Sequence, residues 1–316
     1  MSYIKYYEEL IDMPDFYKQV FQNKFTTNID KDKINSEKYD GNITDRDIEI
    51  VKFIFKCRFA TAHQVYEYLR AANLIDENAS ESSIKIRMDK LISLYRVLNK
   101  FMLSSYESDK LEPDALEFYC LDLGGKFLLG NYSNETLEDI RSWRPRTANM
   151  KTPHAIFKDL YVADFYIKLV DIFGKKLAFF NAYKKVMCEK DPMTFTFDFG
   201  VDNDGEVKYF IGHVVREAEL ISKFGEQADK IENLVSGFGW KKYYPETETV
   251  PMIFFVADDD YTAQEIAKSV SMRQISRYRL TTLERSAGDL STAFMSYDPQ
   301  TDQLKLGRSS LFIKQP

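Results

Sequence analysis

Two helix-start signatures that lie close together constrain the fold of this chain more than any other feature. Thr44 is followed three residues later by Asp47, and Thr61 is followed three residues later by Gln64. In this arrangement, a capping box, the threonine oxygen and the acidic or amide side chain satisfy backbone N–H groups that the first helical turn leaves unpaired. The spacing predicts two successive helices that are separated by a tight turn at residues 58–60.

Apolar side chains recur at helical spacing after both caps, and again after a polar loop. The segment SSIKIRMDKLISLY, with Ser80 or Ser82 as its cap, predicts a third helix. Residues three and four apart share one face of a helix, so these stripes are the sides that face a core. The predicted inward residues are Ile48, Val51, Ile54 and Phe55 in the first helix, Val65, Tyr68 and Leu69 in the second, and Ile84, Met88, Leu91 and Ile92 in the third.

From Arg96 onward the apolar period shortens toward two, which is typical of strands. Two extended segments, RVLNKFML and LEFYCLDL, flank the polar tip SSYESDKLEPDA and predict a β-hairpin with a long loop. The run GGKFLLG at residues 124–130 predicts a short closing helix. Three helices followed by a hairpin predict a winged helix-turn-helix domain over residues 44–150.

The residues before Thr44 predict a separate arm. Residues 1–25 are rich in aromatic side chains and are predicted to be helical, and the segment TTNIDKDKINSEKYDGN has the polar, turn-prone composition of a linker. We therefore assign residues 1–43 to a helical N-terminal arm and linker. The arm either packs on its own domain or serves as a docking or dimerisation element.

The second half of the chain, residues 151–316, mixes helical and extended segments. A helix over HAIFKDLYVADFYIKLVDIFG precedes the strand-like runs LAFFNAYKKV, MTFTFDFGV and VKYFIGHVV, and the last two are joined by DNDG, a strong hairpin-turn signal. A helix around EAELISKFGEQADKIENLV, the buried-strand run VPMIFFVAD and a helix near residues 263–273 follow. This order predicts an α/β domain with a central sheet, so that the whole chain is of the α+β class.

The composition indicates an ordered protein without membrane or disulfide chemistry. Hydrophobic residues make up 44% of the 316 residues, which favours packed domains over disorder. No apolar run is long enough for a membrane helix and the acidic start does not resemble a signal peptide, so we expect a cytoplasmic protein. Cys57, Cys120 and Cys188 lack metal-ligand spacing and are predicted to be buried. No motif requires a cofactor, and we expect none.

The winged helix-turn-helix prediction carries a prediction of double-stranded DNA binding. Such a domain places its third helix in the major groove, where the residues that start the helix reach base edges. The net charge of −6 gives no overall attraction to phosphate, so binding depends on local clustering of cations. The predicted contacts are Ser82, Ser83, Lys85 and Arg87 to bases, and Lys90, Arg96, Lys100 and the helix start at Thr61 and Gln64 to phosphates.

The segments TDRDIEIVKFIFKCRFATAHQVYEYL, SSIKIRMDKLISLYRVL and FYCLDLGGKFLL resemble the N-terminal domain of the replication-relaxation family of Gram-positive plasmids and integrative elements. The continuation TPHAIFKDLYVADFYIKL resembles the start of that family's second domain, so the similarity spans residues 44 to about 240. The resemblance implies a role in handling mobile-element DNA, in replication or mobilisation. It also implies a second domain similar to the PD-(D/E)XK nuclease fold.

Such a nuclease needs paired strand carboxylates, because they hold a divalent metal ion against the scissile phosphate. In the alignment that the resemblance implies, Asp198 matches the first acid, whereas His213 and Val215 occupy the next two acidic positions. Lys230 lies near the family's downstream lysine. The resemblance therefore implies a degenerate nuclease site that has no metal and no catalytic residues.

Three other clusters have ordinary structural interpretations. Residues 202–208 lie at the DNDG turn, and the acidic residues 258–260 end a strand and are predicted to cap the next helix. A third cluster either extends the DNA surface or forms surface ion pairs. It consists of Arg273, Arg277, Arg279 and Arg285.

Together these predictions describe a two-domain DNA-binding accessory protein that is not an enzyme and acts in plasmid replication or conjugative mobilisation. Its expected partners are double-stranded DNA, a second copy of the chain and a relaxase or replication protein. Three alternatives stay open. The chain is alternatively a metal-dependent nuclease that uses Asp198 with Glu217 or Glu219, a transcriptional regulator whose C-terminal domain senses a ligand or partner, or a protein whose winged domain serves as an adaptor.

Overall fold

The computed structural model describes residues 17–105, 116–133, 140–188 and 191–313. The chain is a mixed α+β protein of two compact units, Met1–Ile167 (unit 1) and Lys168–Pro316 (unit 2). The division falls within a long helix, whereas the sequence pattern places the boundary at residue 150. The first part of that helix belongs to unit 1, where Asp159 accepts from Arg58 and Asp164 accepts from Gln64.

Unit 1 contains short helices and a small sheet. In chain order its elements are β1 (Tyr17–Phe21), α1 (Lys31–Tyr39), α2 (Asp45–Cys57), β2 (Phe59–Ala60), α3 (Ala62–Ala71), α4 (Glu81–Ser93), β3 (Leu98–Ser105), β4 (Phe118–Leu121), α5 (Leu123–Tyr132), α6 (Pro145–Asn149) and the first part of α7 (Pro153–Phe173). The predicted order of three helices, two paired strands and a further helix is confirmed.

Local capping determines where α2, α3 and α4 begin. The Thr44 backbone N–H donates to Asp47 Oδ2 at 2.7 Å, and the Asp47 N–H donates to Thr44 Oγ1 at 3.3 Å. The same reciprocal pair joins Thr61 and Gln64 at 2.9 and 3.1 Å. Ser80 caps α4 by accepting from the third helical residue. The predicted caps are therefore confirmed, and so is the predicted buried stripe of α4.

The sheet of unit 1 has the strand order β1–β3–β4–β2. The predicted helical arm is wrong over β1, which pairs antiparallel with β3 and places Phe21 opposite Phe101. The free edge of β3 offers backbone hydrogen bonds to an extended neighbour, and these outweigh the local helical pattern of the arm. The predicted linker contains α1, and residues 1–16 of the predicted arm lie outside the described residues.

Unit 2 is built on a larger sheet. Its elements after α7 are β5 (Leu177–Ala182), β6 (Lys185–Cys188), β7 (Asp191–Thr194), β8 (Phe197–Asn203), β9 (Glu206–Val215), α8 (Glu217–Ser222), α9 (Phe224–Ser236), β10 (Met252–Ala257), α10 (Asp260–Ser271), β11 (Tyr278–Thr282), α11 (Leu283–Ala287), β12 (Met295–Asp298) and β13 (Gln303–Leu306). The predicted α/β pattern of this half is confirmed at the level of its elements.

Seven strands form the sheet of unit 2 in the order β13–β12–β11–β10–β9–β8–β5. β9, β10 and β11 are parallel, and the helices between them make the crossover connections that parallel strands require. The predicted DNDG turn is confirmed, because Asn203 lies opposite Glu206 in the β8–β9 hairpin. Asp204 and Gly205 have the positive φ angles, 57° and 94°, that such a two-residue loop needs.

Side-chain alternation gives this sheet two different faces. Ile211, Ile253 and Phe255 belong to one face and to a core cluster that includes buried residues of α9 and α10. Phe210 and Phe254 belong to the opposite face, where their rings stack with centroids 5.6 Å apart. The face packed against α9 and α10 therefore forms one core of unit 2, and the opposite face is packed as well, because Phe199, Phe210 and Phe254 are at most 6% exposed.

The cysteine prediction is confirmed, because Cys57, Cys120 and Cys188 are buried free thiols. Burial raises the pKa of Cys57 and Cys120 well above the ordinary value, which keeps both thiols protonated. In the part of the chain that the structure describes, no helix combines the length and the hydropathy needed to cross a bilayer.

Candidate functional site

The third helix of unit 1, α4, has one buried side and one exposed side. Ile84 and Met88 on its inner side are buried. Ser82, Ile86 and Lys90 recur every fourth residue on its outer side, where all three are exposed. Ile86 is 70% exposed, although an isoleucine in a helix normally faces a core. The outer side of α4 therefore presents a mixed polar and apolar surface to solvent.

The first turn of α4 is fixed by its own serine hydroxyls. Ser83 donates from Oγ to the Ser80 carbonyl at 2.7 Å, and the Oγ atoms of Ser80 and Ser82 lie 2.9 Å apart. Ser82 and Ser83 are both exposed, as a contact at the start of a recognition helix requires. Both predicted positions are thus accessible on the outer side of the helix.

Arg87 does not lie on that exposed surface, contrary to the prediction. Its Nε donates to Asp47 Oδ1 at 2.7 Å, and its Nη2 donates to the Asn42 carbonyl at 2.6 Å. The Asp47 side chain is fully buried, so the pair joins the start of α2 to the middle of α4. The hydrogen bond that Arg87 donates to Asp47 raises the pKa of Arg87 against the opposing effect of burial. Arg87 is therefore a structural residue, because a buried carboxylate needs a cation beside it.

Lys85 and Lys100 are accessible in part, but the same carboxylate holds both. Glu117 lies 2.8 Å from Lys85 Nζ and 2.7 Å from Lys100 Nζ, and Asp89 lies 3.0 Å from Lys100 Nζ. Burial raises the pKa of Glu117, but the hydrogen bonds from the two lysines outweigh it and hold the pKa below its ordinary range. A phosphate group that pairs with either lysine therefore competes with Glu117.

Thr61 and Gln64 are buried, so the predicted phosphate contacts at the start of α3 are wrong. Gln64 is fully buried, and its amide donates to the Leu160 carbonyl at 2.8 Å and to Asp164 Oδ1 at 2.9 Å. Its side-chain oxygen accepts from the Thr61 N–H as the capping box requires. The start of α3 is thus covered by the first part of α7.

Lys90 and Arg96 differ from the other predicted contacts, because neither forms an ion pair with a carboxylate that the structure describes. Both side chains are exposed. Arg96 has a φ of 52°, in the left-handed region, where it connects α4 to β3. Gly124 fits against this turn, since a Cβ there would lie 2.6 Å from the Arg96 carbonyl oxygen. The tip of the β3–β4 hairpin, residues 106–115, lies outside the described residues.

The predicted nuclease-like positions lie on neighbouring strands of unit 2. Asp198 on β8 is opposite Ile211 on β9, so His213 lies two residues further along the same face of the sheet. Asp198 is buried and accepts hydrogen bonds from Tyr244 Oη at 3.0 Å and from Asn181 Nδ2 at 3.1 Å. Burial and the Asp198 carboxylate raise the pKa of Tyr244, which keeps its hydroxyl protonated as a donor.

The other two predicted positions do not complete a metal site. Val215 is fully buried and has no ligand atom, and His213 bonds through Nε2 to Gln227 Oε1 at 3.1 Å. Lys230 pairs with Glu226 at 2.7 Å on the surface of α9. Within the described ranges, no group of three or more histidine, cysteine, aspartate or glutamate side chains is arranged to hold a metal ion. The site therefore offers one buried carboxylate, which is already bound to neutral donors.

The acidic run after β10 has the predicted structural role in part. Asp259 caps α10 by accepting from the Thr262 N–H at 2.7 Å. Asp258 and Asp260 instead pair with Arg216 and Arg285, at 2.6 and 2.7 Å. The first of these pairs links the end of β9 to the end of β10.

Sequence reasoning missed two features of the candidate interface. Ile86 lies four residues from both Ser82 and Lys90, so its spacing signals an outward position that its apolar character conceals. Glu117 is distant in sequence from Lys85, and no local pattern signals their pairing. Comparisons of the chain with protein-family models, with curated proteins and with solved structures found no match.

Proposed function

We propose that unit 1 is a winged helix-turn-helix domain that binds double-stranded DNA through α4. One observation carries the proposal: the order α2, β2, α3, α4, β3 and β4, in which β4 pairs between β2 and β3. In such a unit the third helix fits the major groove and the hairpin lies beside it. The outer side of α4 is accessible for this purpose, since Ser82, Ile86 and Lys90 are exposed.

The contacts that we propose differ from those that the sequence predicts. Ser82 and Ser83 reach base edges, and Ile86 contacts a thymine methyl group, which the major groove exposes. Lys90 and Arg96 contact phosphates without first losing a partner. Lys85 and Lys100 contribute after Glu117 is displaced, and Thr61, Gln64 and Arg87 support the domain from within.

The resemblance to the replication-relaxation family supplies the biological setting of the proposal. DNA binding by α4 serves replication or conjugative mobilisation of a mobile element, with a relaxase or replication protein as partner. One winged domain covers a short half-site, so a second copy of the chain bound to an adjacent half-site supplies sequence specificity. The chain acts in the cytoplasm, where the element replicates.

Unit 2 has, in this proposal, the degenerate form of a PD-(D/E)XK nuclease fold. The donor set supports this, because Asp198 has only His213 and Val215 at the positions where the resemblance places further acids. Two carboxylates are needed to hold magnesium against a phosphate, and one buried carboxylate with neutral hydrogen-bond donors does not do so. The unit therefore positions DNA or a partner and does not cut.

Fluorescence anisotropy with a labelled duplex tests DNA binding directly. We expect the affinity to fall with increasing salt, since phosphate contacts release counterions. Lys90→Met should reduce the slope of log affinity against log salt by about 0.9. Lys33→Met, which removes an exposed lysine of α1, is the matched control and should leave the slope unchanged. Equal binding by the wild type and Lys90→Met at every salt concentration would show that α4 does not face DNA.

Specificity is tested by selection from a pool of random duplexes. The expected result is a pair of half-sites related by two-fold symmetry, and Ile86→Ala should relax the preference at one thymine of each half-site. Enrichment of no sequence, with salt-dependent binding retained, would limit the function to non-specific DNA binding. Incubation of plasmid with magnesium or manganese tests unit 2, and cleavage that Asp198→Asn abolishes would contradict the degenerate site.

A further inference from the structure

The sheet face of unit 2 that α9 and α10 leave uncovered contains a groove of about 540 Å³. It lies where the parallel strands β9, β10 and β11 begin, and the segment after β13 closes one side. Its volume is within the range of small-molecule sites, about 300–1,000 Å³. The proposed DNA-binding function does not use this groove.

The floor of the groove is aromatic. Phe210, Phe254, Phe294 and Phe312 line it and stack in succession, and each is only 2–6% exposed. Their neighbouring ring centroids are separated by 5.6, 4.6 and 5.0 Å. The floor is therefore a packed aromatic layer that leaves little of its own apolar surface open to water, but it gives the flat part of a ligand a surface on which to lie.

The rim of the groove is cationic. Lys208, Arg277, Arg279 and Arg308 line it, and none of them forms an ion pair with a carboxylate that the structure describes, although the charge of Arg308 acts on the Asp289 carboxylate. Two of these arginines bond only to backbone carbonyls: Arg277 to Val250 at 2.7 Å and Arg279 to Tyr278 at 2.8 Å. Glu206 is the single acidic side chain among the described residues of the lining.

Several cations elsewhere in unit 2 are arranged differently. At least half of the described ones that lie outside the groove have a carboxylate within ion-pair distance, and the sequence alternative of arginine ion pairs is confirmed for Arg273 and Arg285. These pairs are Arg216–Asp258, Lys230–Glu226, Lys241–Glu248, Lys268–Glu265, Arg273–Asp229, Arg285–Asp260 and Lys305–Asp298. In a chain of net charge −6, four cations without an ion pair around one concavity form a local positive surface that favours an anion.

From this arrangement we infer that the groove binds a nucleoside phosphate, with the base on the aromatic floor and the phosphate groups on the arginine rim. Guanidinium groups are suited to the second task, because their planar set of donors matches phosphate oxygens in pairs. The Ser296 and Ser309 hydroxyls, which also line the groove, supply hydrogen-bonding groups for the base or ribose. Unit 2 is thereby a sensor of a free nucleotide.

The shape of the groove distinguishes this ligand from duplex DNA. A duplex backbone is followed by cations in a row on an open surface, whereas these cations surround a concave space with an apolar floor. Inorganic phosphate contacts the rim and leaves most of the groove's volume of about 540 Å³ unfilled. A nucleotide fills both, so it should bind more tightly than inorganic phosphate or pyrophosphate.

Isothermal titration calorimetry on the full chain tests the inference. The probes are ATP, ADP, GTP, CTP, pyrophosphate and a 5′-phosphorylated single-stranded hexanucleotide. We expect at least one nucleotide to bind about tenfold or more tightly than pyrophosphate, which corresponds to about 1.4 kcal/mol. Arg279→Met and Arg308→Met should each weaken that nucleotide about tenfold or more. Lys185→Met, at an exposed lysine of β6 outside the groove, should leave its affinity unchanged.

The variant Arg279→Lys distinguishes the effect of the positive charge on binding from the effect of the guanidinium geometry. It should recover only part of the affinity, because lysine keeps the charge and lacks the paired donors. The absence of binding by every nucleotide up to about 1 mM, a free energy of about −4 kcal/mol, would overturn the inference. Pyrophosphate binding as tight as that of the best nucleotide would overturn the role of the aromatic floor, and tighter binding of the hexanucleotide would identify the groove as a single-strand site. Duplex anisotropy with Arg279→Met reports on unit 1 separately, and it should match the wild type.

Discussion

The cations around α4 and the cations around the groove of unit 2 are both near proposed phosphate sites, but they differ in their partners. Lys85, Arg87 and Lys100 are held by carboxylates, and Glu117 alone is shared by two of them. Arg279 and Arg308 form no ion pair with a described carboxylate, although the charge of Arg308 acts on Asp289. Two of the cations proposed to bind DNA, Lys85 and Lys100, therefore have to exchange an ion pair to bind phosphate, whereas Lys90, Arg96 and the cations of the groove do not.

The largest expected effect concerns the buried pair that distinguishes Arg87 from a DNA contact. Arg87→Met leaves the Asp47 carboxylate buried without its cation, which should reduce the free energy of unfolding of unit 1 by about 3 kcal/mol. Urea denaturation followed by circular dichroism measures the loss. Lys90→Met, on the exposed side of the same helix, should change stability by less than about 0.5 kcal/mol.

If Arg87→Met had the unfolding free energy of the wild type but bound DNA more weakly, Arg87 would be a DNA contact and not a structural residue. The double variant Asp47→Asn/Arg87→Met provides a further check. Its loss should be smaller than the sum of the two single losses, since neither partner then leaves a buried charge.

Removing Glu117 should leave a lysine of the α4 surface without an ion pair, as the cations of the groove are. Glu117→Gln frees Lys85 and leaves Lys100 with Asp89 alone, so we expect DNA affinity at low salt to rise about tenfold and the salt slope to steepen by about 0.9. Anisotropy titrations at several salt concentrations measure both. Glu67→Gln on α3 is the matched control, because Glu67 pairs only with Arg70 in its own helix. An unchanged slope would place Lys85 outside the interface.

The Glu117 carboxylate also predicts how the stability of unit 1 changes with pH. Because the pKa of Glu117 is lowered in the folded protein, its pairs stabilise unit 1 at pH values above the ordinary carboxyl range. That stability is lost as the pH falls through the lowered pKa. The difference in stability between wild type and Glu117→Gln should therefore shrink on acidification, as denaturation at neutral pH and near pH 3 would measure.

Arg96 allows stability and binding to change in opposite directions. Its φ of 52° is unfavourable for an arginine, and Arg96→Gly removes that cost of about 1–2 kcal/mol, less the entropy that glycine adds to the unfolded chain. We expect a net gain near 0.5 kcal/mol together with weaker DNA binding. A melting curve and an anisotropy titration on one sample test both, and unchanged affinity would exclude Arg96 from the phosphate contacts.

The smallest expected effect is on the stability of each unit in the absence of a ligand, compared between the α4 surface and the groove. Lys85→Met removes an ion pair and should destabilise unit 1 slightly, whereas Arg279→Met removes like-charge repulsion and should stabilise unit 2 slightly at low salt. Each change should be within about 0.5 kcal/mol. High salt should reduce both differences. A destabilising Arg279→Met would indicate that Arg279 has a structural partner.

Much of the fold followed from short-range signals. The caps at Thr44, Thr61 and Ser80, the inward stripe of α4 and the DNDG turn involve residues within a few positions of one another, so the sequence reveals them directly. The arm over β1 was predicted as a helix because its pairing partner, β3, is far away in the chain. Strand pairing with a distant edge has no local signature.

The candidate site was predicted less well, for a related reason. Residue types indicated which side chains of α4 can bind DNA, and Ser82, Ser83 and Lys90 are exposed as that prediction requires. Arg87, Thr61 and Gln64 were misplaced because Asp47 and the first part of α7 cover them. A sequence shows that an arginine is present, but the arginine's availability depends on carboxylates that the fold brings to it.

The sequence by itself determined the helix starts, the hairpin turn and the alternation of apolar residues, since these depend on backbone hydrogen bonds and side-chain period over a few residues. Only the tertiary structure decided which cations form ion pairs with carboxylates and which line the groove of unit 2 without such a pair. The residues that meet in this way, such as Glu117 and Lys85 or Phe254 and Arg279 on neighbouring strands, are distant in sequence and come together only when the strands and helices pack.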